Sequence, residues 1–311
     1  MQELVNKIIC ADCIELLGEI DKPFADLIFA DPPFNIGYKY DKYKDRLKKD
    51  KYISWTRDWM QACYKVLKPT GSFYIAIGDE YAANVKIIAD ELGLFMRNWI
   101  IWHYTFGQHT KKKFARSHTH ILYFTKDKNK FTFNDEAVRV PSQRQLTYND
   151  KRANRKGKIP GDVWSEFSRI CGTFKEREGW HPCQMPETLL QRIIAVSSNA
   201  GDCVFDPFIG SGTTAAAAYL LGRNYCGTDI SKQYVENARK RLEKLKDKSS
   251  HLPSDRHNAE LKRLAADMRI NISELKEDKK KLRLFKKQLF LRTGEKRGYD
   301  SDEIISVLRN T

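Results

Sequence analysis

The chain has 311 residues and a formal net charge of +15, because 55 Lys and Arg outnumber 40 Asp and Glu. Its hydrophobic content of 41% and aromatic content of 12% exclude a wholly disordered chain, and no apolar run approaches the roughly 20 residues that cross a bilayer. No secretory signal is recognisable, and the seven cysteines are scattered without paired CxxC motifs, so we expect a cytoplasmic protein with free thiols and no metal site.

The positive charge is concentrated in two segments. Residues 107–180 carry a net charge of +9 and residues 250–311 a net charge of +5, whereas residues 1–106 and 181–249 are nearly neutral. This distribution favours a polyanionic partner bound by the middle of the chain over a basic surface that serves only solubility.

From residue 25 onwards, short apolar runs alternate with segments whose apolar residues recur at helical spacing. The first run, Ala25–Ala30, ends at Asp31-Pro32-Pro33, which is typical of a buried strand followed by a rigid turn. Further strands are predicted at Ser72–Ile77, Asn98–Tyr104, His120–Thr125, Cys203–Phe205 and Tyr225–Thr228. Helices are predicted at Tyr52–Leu67, Asp79–Leu92, Pro186–Ser198, Thr213–Leu221 and Ser231–Leu245. The alternation predicts an α/β fold with a mostly parallel sheet.

Two regions depart from this alternation. Residues 107–180 are rich in Lys, Arg, Gln, Asn and Gly with little periodicity, which predicts an insertion built largely of loops. Residues 246–253 predict a linker, and apolar residues at three- and four-residue steps within 259–291 predict one or two amphipathic helices. We therefore expect a domain formed by residues 1–106 and 181–249, an insertion at 107–180, and a helical basic C-terminal extension at 250–311.

A glycine turn lies between a predicted strand and a predicted helix, in the string Val204-Phe-Asp-Pro-Phe-Ile-Gly210-Ser-Gly212-Thr-Thr-Ala215. Glycines there allow the backbone to approach a ligand and open the helix N-terminus towards it. Asp229 follows Gly210 by 19 residues, at the end of the next predicted strand, where a carboxylate can accept hydrogen bonds from ribose hydroxyls. The arrangement favours an adenosine-type ligand. The spacing also fits a relaxed dinucleotide fingerprint, so an NAD-dependent oxidoreductase stays open.

A second turn, Asp31-Pro-Pro-Phe34-Asn-Ile-Gly37, follows the Ala25–Ala30 strand. Its carboxylate stands at the carboxyl end of a strand, where α/β sheets bind their ligands. The Asp31 carboxylate and a free backbone carbonyl of the proline turn can each accept one N–H of a nucleobase amine, which leaves the nitrogen lone pair available for attack. The Phe34 ring can stack on the base.

Together the two turns resemble those of the amino-group DNA methyltransferases, which transfer a methyl group from S-adenosylmethionine to adenine N6 or cytosine N4. The resemblance covers most of residues 8–245, and the order of catalytic motif, basic insertion and glycine motif resembles the family's β arrangement. Similar further motifs are Ala11-Asp12-Cys13, Leu67–Gly71 with Phe73–Ile77, His118–Phe124 and His181–Leu190. The last differs from the family pattern at Cys183 and Met185.

The resemblance implies a Rossmann-like, S-adenosylmethionine-dependent methyltransferase fold with a basic target-recognition insertion and a helical C-terminal tail. The implied catalytic residues are Asp31, Pro32 and Phe34. The implied cofactor-binding residues are Asp12, Cys13, Asp31, His181, Phe208, Gly210, Ser211, Gly212, Thr213 and Asp229. Because cytosine-N4 members mostly carry Ser-Pro-Pro, the Asp-Pro-Pro-Phe string favours a site-specific adenine-N6 methyltransferase that flips its target base, with cytosine N4 as the alternative.

We expect double-stranded DNA as the substrate, in a prokaryotic cell or a phage. The expected DNA-binding residues are Lys111, Lys112, Lys113, Arg116, Arg144, Lys151, Arg152 and Arg155. The sequence leaves open whether residues 250–311 are a dimerisation element, an additional DNA-binding arm or a buttress, and whether a homodimer or a cognate restriction endonuclease is a partner. A non-catalytic DNA-binding module and an RNA substrate also stay open, although an intact Asp31 speaks against the former.

Overall fold

The computed structural model describes residues 4–105, 110–142, 144, 147, 148, 150, 152–154, 156–172, 174, 176–250, 261, 262, 264, 265, 268, 272–293 and 301–309. The chain divides into two compact units. The first comprises residues 1–133 and 162–246, and the second comprises residues 134–161 and 247–311.

An eight-stranded sheet forms the centre of the first unit. Its strands are β1 (Lys7–Cys10), β2 (Ala25–Ala30), β3 (Leu67–Ile77), β4 (Phe95–His103), β5 (His118–Thr125), β6 (Val163–Trp164), β7 (Cys203–Asp206) and β8 (Asn224–Asp229). They are ordered β1-β8-β7-β2-β3-β5-β4-β6, and β5 runs antiparallel to both of its neighbours while the other pairs are parallel. The mostly parallel α/β fold predicted from the sequence is therefore confirmed.

Helices cover both faces of this sheet. They are α1 (Cys13–Gly18), α2 (Lys49–Val66), α3 (Asp79–Glu91), α4 (Glu187–Ser197), α5 (Thr213–Leu220) and α6 (Lys232–Ser250). Successive side chains of β2 alternate between the two faces, as a strand requires: Leu27 joins the core formed with α4, α5 and α6, whereas Ile28 joins the core formed with α1, α2 and α3. Burial on both faces explains why residues 27–30 of β2 are a continuous apolar run.

The second unit has its own hydrophobic core. Its described helices are α7 (Ile272–Glu277), α8 (Lys279–Thr293) and α9 (Ser301–Arg309), and a short 3-10 turn at Asp135–Val138 packs against α8. The buried side chains of this core are Leu261, Leu264, Met268, Leu275, Phe285, Leu289, Ile304 and Leu308. Helical spacing of these residues produces an amphipathic arrangement that buries one face of each helix.

The structure differs from the sequence-based expectations at several points. The expected linker is wrong for residues 246–250, because α6 continues through Ser250; residues 251–253 lie outside the described part of the chain. β1, α1 and β6 were not predicted, since each is too short to show a clear period. The compact units cut across the expected boundaries, because residues 162–180 lie in the first unit and residues 134–161 lie with the C-terminal extension. In the described ranges, no helix has the length and apolar character needed to cross a membrane.

Candidate active site

Four neighbouring strands end at one edge of the sheet, each in or shortly before an aspartate. Following the order β1-β8-β7-β2, these residues are Asp12, Asp229, Asp206 and Asp31. All four line one cavity in the first unit, and a recessed site of this kind with convergent polar groups is where small molecules bind. The parallel topology thus gathers acidic side chains from distant parts of the sequence.

The glycine turn forms one wall of this cavity. Gly210 and Gly212 have φ values of +44° and +77°, in the left-handed region that favours glycine. A Cβ added at Gly210 would lie 2.8 Å from Nε2 of His181, and one added at Gly212 would lie 2.9 Å from Cβ of Ala238. Both positions therefore require glycine for close packing as well as for backbone conformation.

Asp229 holds the turn from the neighbouring strand. Its carboxylate accepts hydrogen bonds from the backbone N–H of Gly210 at 3.2 Å and of Ser231 at 2.8 Å. Burial nevertheless raises its pKa to about 6. These bonds fix the carboxylate in the cavity wall and leave lone pairs for hydroxyl groups of a ligand.

His181 closes the opposite side of the turn as a neutral ring. Its Nδ1 lies 2.8 Å from the Cys183 carbonyl oxygen, and its ring meets Tyr234 edge to face at 4.7 Å between centroids. Burial lowers its pKa to about 4, against the weaker opposing effect of the Cys183 backbone. The ring therefore contributes shape and packing to the cavity without adding a positive charge near neutral pH.

Two further carboxyls in the cavity wall have strongly raised pKa values. Burial, with a contribution from the nearby Asp206, raises the pKa of Asp31 to about 8, although Arg169 acts in the opposite direction. Burial raises the pKa of Asp206 to about 7, even though its carboxylate accepts hydrogen bonds from Thr214 and from the Phe208 backbone at 2.5 and 2.9 Å. Low solvation and mutual repulsion make this cavity receptive to a cation.

Hydrogen bonds from Tyr52 and through Asn35 hold the Asp31 turn in place. The Tyr52 hydroxyl donates to the Pro33 carbonyl at 2.6 Å, whereas no hydrogen bond to the Pro32 carbonyl occurs among the described residues. Asn35 adopts a φ of +59°, and its side chain donates to the Leu47 carbonyl at 3.0 Å and accepts from the Leu47 N–H at 2.6 Å. One backbone acceptor of the turn is thereby engaged and the preceding one is left available.

Of the three residues expected to be catalytic, Asp31 lines the cavity and the other two do not. Asp31 lines the cavity, but Pro32 is buried beside it and is not part of the lining. Phe34 is also outside the lining, because its half-buried ring packs against Gly78; a Cβ added there would lie 3.3 Å from the Phe34 ring. In this conformation Phe34 supports the turn and does not offer its face to the cavity.

The residues expected to bind the cofactor are gathered more completely. All of them line the cavity except Gly212, which packs against α6. Lining residues that were not predicted from the sequence include Tyr40, Lys42, Asp206 and Tyr234. A signal for Asp206 was present, because Asp206-Pro207 repeats the Asp31-Pro32 dipeptide at the end of the adjacent strand.

Residues 36–46 extend from the Asp31 turn to the opposite wall of the cavity. The loop is folded around Asp45, whose buried carboxylate accepts N–H bonds from Asn35 at 2.6 Å and Tyr38 at 2.8 Å. At its outer end the Ser231 hydroxyl donates to Asp41 at 2.7 Å. In the sequence, only the aromatic residues that follow Gly37 indicated that this loop contributes to the cavity.

In the described residues, no group of three or more His, Cys, Asp or Glu side chains is arranged to hold a metal ion.

The expected DNA-binding cations that the structure describes are divided between the two compact units. Lys111, Lys112 and Lys113 are exposed in the first unit. Arg116 forms an ion pair with Asp79 at 2.7 Å. In the second unit, Arg144 and Arg152 both pair with Asp150, at 3.5 and 3.1 Å. Lys151 and Arg155 lie outside the described residues.

Comparisons with known proteins agree with this geometry. A family profile described as DNA methylase, of the N6/N4 methyltransferases, matches residues 25–240. The chain is 40% identical over 239 residues to the type II methyltransferase M.HpaI of Haemophilus parainfluenzae, covering 76% of this chain and 74% of the relative. It is 38% identical over 246 residues to the DNA adenine methyltransferase YhdJ of Escherichia coli (strain K12), covering 76% and 82%. The crystal structure of an M1.HpyAVI–SAM complex superposes with a TM-score of 0.54 at 24% identity, covering 76% of this chain and 98% of that one.

Proposed function

The chain belongs to the DNA methylase family of N6/N4 methyltransferases, and from that premise we propose that it methylates the N6 amino group of adenine in duplex DNA by flipping the target base out of the helix. The observation that carries the proposal is the Asp31 carboxyl, set in the cavity wall at the end of β2 and followed by a rigid proline turn. The target amine is paired within the duplex, so it reaches such a recessed group only after the base has left the stack.

The family's methyl donor, S-adenosylmethionine, supplies an electrophilic methyl group on a positively charged sulfur. The cavity fits that chemistry, because Asp31, Asp206 and Asp229 are enclosed carboxyls whose pKa values are raised mainly by burial, and a positively charged ligand would stabilise their ionised forms. Asp229 is the residue for the ribose hydroxyls, since its orientation is already fixed by two backbone N–H bonds. Asp12, the N-cap of α1, and Cys13 are the residues for the adenine end.

Asp31 and Pro32 hold the reacting amine. The Asp31 carboxylate accepts one N–H and the Pro32 carbonyl accepts the other, because the Pro33 carbonyl is occupied by Tyr52. Since Pro32 lies behind the cavity lining, this second contact requires the turn to shift towards the base. Two acceptors favour a pyramidal nitrogen with its lone pair directed at the methyl group. Transfer forms an N–C bond and breaks an S–C bond, and the amine then loses one proton. Once the positive charge has left the sulfur, the Asp31 pKa returns towards about 8, so an Asp31 oxygen can take that proton.

Phe34 is assigned to the face of the flipped base. Its ring lies against Gly78, so stacking on the base requires the side chain to turn towards the cavity. The Asp31-Pro-Pro-Phe34 string supports adenine over cytosine N4, as does the name of the adenine methyltransferase YhdJ among the relatives.

The test is incubation of the protein with tritiated S-adenosylmethionine and unmethylated duplex genomic DNA, followed by nucleoside analysis. We expect label in N6-methyldeoxyadenosine. Asp31→Ala should abolish transfer and keep measurable cofactor binding, while Asp58→Ala, a change at an exposed aspartate of α2, should leave turnover unchanged. Label in N4-methyldeoxycytidine would reject the adenine assignment, and full turnover by Asp31→Ala would reject the role of Asp31.

A further inference from the structure

The second unit joins two segments that lie far apart in the sequence. Residues 134–161 come from the basic middle of the chain, and residues 247–311 form the C-terminal extension. The extension lies beyond the 25–240 range matched by the family profile, whereas residues 134–161 lie within it. A segment outside the range of the family profile therefore forms one compact body with part of the predicted target-recognition insertion.

The contact between the two segments is made by regular structure. The 3-10 turn at Asp135–Val138 packs against α8, and the bridge between Val140 and Lys158 closes the segment from which Arg144 and Arg152 project. A shared body of this kind fixes the insertion segment on a helical support, which a loop-rich sequence of 28 residues could not supply alone.

The second unit is also the more positively charged one. Its 93 residues carry 23 Lys and Arg against 14 Asp and Glu, a net charge of +9, whereas the 218 residues of the first unit carry a net charge of +6. A positive electrostatic potential over a small body attracts polyanions.

Four cations of α7 and α8 are available for such a partner. Lys276, Lys279, Lys280 and Arg283 are exposed, and none forms an ion pair with a residue that the structure describes. On α8 the core-facing residues include Phe285 and Leu289, and the cations occupy a different face of the helix. Lys281, in contrast, pairs with Glu274 at 3.0 Å.

We propose that α7 and α8 of the C-terminal extension bind the phosphate backbone of the duplex DNA substrate through Lys276, Lys279, Lys280 and Arg283, and that they form one DNA-binding module with residues 134–161. The proposal rests on the proposed function, since it assigns more of the chain to the same substrate. Phosphate contacts of this kind add affinity and position the protein without reading sequence.

The test replaces all four cations, as Lys276→Glu, Lys279→Glu, Lys280→Glu and Arg283→Glu. The matched control carries the same change of charge at four exposed lysines of the first unit, Lys22, Lys51, Lys240 and Lys244, none of which forms an ion pair within the described residues. Both variants and the wild type are titrated with a mixed-sequence duplex by fluorescence anisotropy at several salt concentrations. Cofactor binding and thermal unfolding are measured in parallel, and a milder set of Gln substitutions serves if the Glu set does not fold.

We expect the four-residue variant to lose at least about tenfold in DNA affinity and to show a salt slope smaller by about 2 to 4, because each phosphate contact contributes about 0.9 to that slope. The control should stay within about twofold of the wild type, and S-adenosylmethionine binding should not change. Equal effects of both variants would overturn the proposal, as would a loss of affinity explained by a changed mass in solution. If the wild type methylates no DNA, the proposed function fails; if it does so and the variant matches the control, only this inference fails.

Discussion

Binding of S-adenosylmethionine to the free enzyme should strengthen steeply between about pH 6 and about pH 8. Asp31 has a pKa of about 8 in the enclosed cavity, so its carboxyl is mostly protonated near pH 6. A positively charged sulfur attracts the ionised form and gains nothing from the neutral one. Binding therefore releases a proton, and affinity rises with pH until Asp31 is ionised in the free protein.

The magnitude follows from the ionised fraction. With a pKa of about 8, Asp31 is about 1% ionised near pH 6 and about half ionised near pH 8, which corresponds to about a 50-fold gain in affinity over that interval. Ionisation of Asp206 and Asp229 also raises the affinity as pH rises. Their pKa values of about 7 and about 6 mean that most of their ionisation is complete at lower pH than that of Asp31.

Isothermal titration calorimetry in two buffers of different ionisation enthalpy measures both the affinity and the number of protons released. S-adenosylhomocysteine is the matched ligand, because it keeps the amino acid and nucleoside but lacks the charge on sulfur. The α-amino group of both ligands titrates near pH 8, and the comparison cancels its contribution.

Asp31→Asn is the matched protein variant. A neutral amide cannot ionise, so the variant should bind S-adenosylmethionine at pH 8 about as weakly as the wild type does near pH 6, with a much flatter pH profile. An affinity of the wild type that is constant or falls from pH 6 to pH 8, or equal slopes for both ligands, would refute the electrostatic reasoning.

The same linkage acts on stability. A carboxyl whose pKa is higher in the folded than in the unfolded protein destabilises the fold as pH rises from about 4 towards the folded value, because the folded state then holds the extra proton. The melting temperature of the ligand-free protein should fall over that range. The shift produced by saturating S-adenosylmethionine should grow over the same range, as differential scanning fluorimetry can record.

Three further predictions rest on single contacts. Gly212→Ala should lower the free energy of unfolding in urea by about 2 kcal/mol or more, because the new Cβ would lie 2.9 Å from Ala238. Gly93→Ala is the control, since Gly93 has a similar φ of +79° and open space around it, and should lower the free energy of unfolding by only about 1 kcal/mol. Equal losses in the two variants would contradict the packing argument. Tyr52→Phe should lower kcat about fivefold without changing the KM for the cofactor, because it removes the hydrogen bond to Pro33; an unchanged kcat would argue against that positioning role. Raising salt from about 50 to about 200 mM should weaken DNA binding at least about tenfold and leave cofactor binding nearly unchanged. Equal losses of affinity for DNA and for the cofactor would contradict DNA binding through phosphate contacts.

The sequence predicted the core strands well because their physical signals are local. Ala25–Ala30 is buried on both faces of the sheet and stops at two prolines, so its apolar run and its end were both legible. β1 is only four residues long and lies at the sheet edge, where weak burial leaves little pattern. β6, with two residues, joins the sheet only through its register with β4.

The cavity-lining residues that the sequence predicted lie mostly in its turns, and those that were not predicted reach the cavity through long-range contacts. Gly210 and Asp229 were identified because they fall at strand ends in a known spacing. Tyr40 reaches the cavity only because the loop that carries it folds around Asp45, which no local pattern indicates. The association of residues 134–161 with residues 247–311 has no sequence signal at all, since it depends on packing between segments almost a hundred residues apart.

The competing hypothesis of a dinucleotide-binding oxidoreductase depends on the spacing of Gly210 to Ala215, and electrostatics weigh against it. A pyrophosphate is negatively charged and binds through free backbone N–H groups at a helix N-terminus. Here the Gly210 N–H already donates to the Asp229 carboxylate, and Asp31 and Asp206 line the same cavity. An anion would meet three enclosed carboxyls, whereas a cation stabilises the ionised forms that burial, and to a smaller extent repulsion from neighbouring carboxylates, disfavours. A turn whose glycine spacing alone is compatible with phosphate thus becomes selective for a positively charged adenosine ligand.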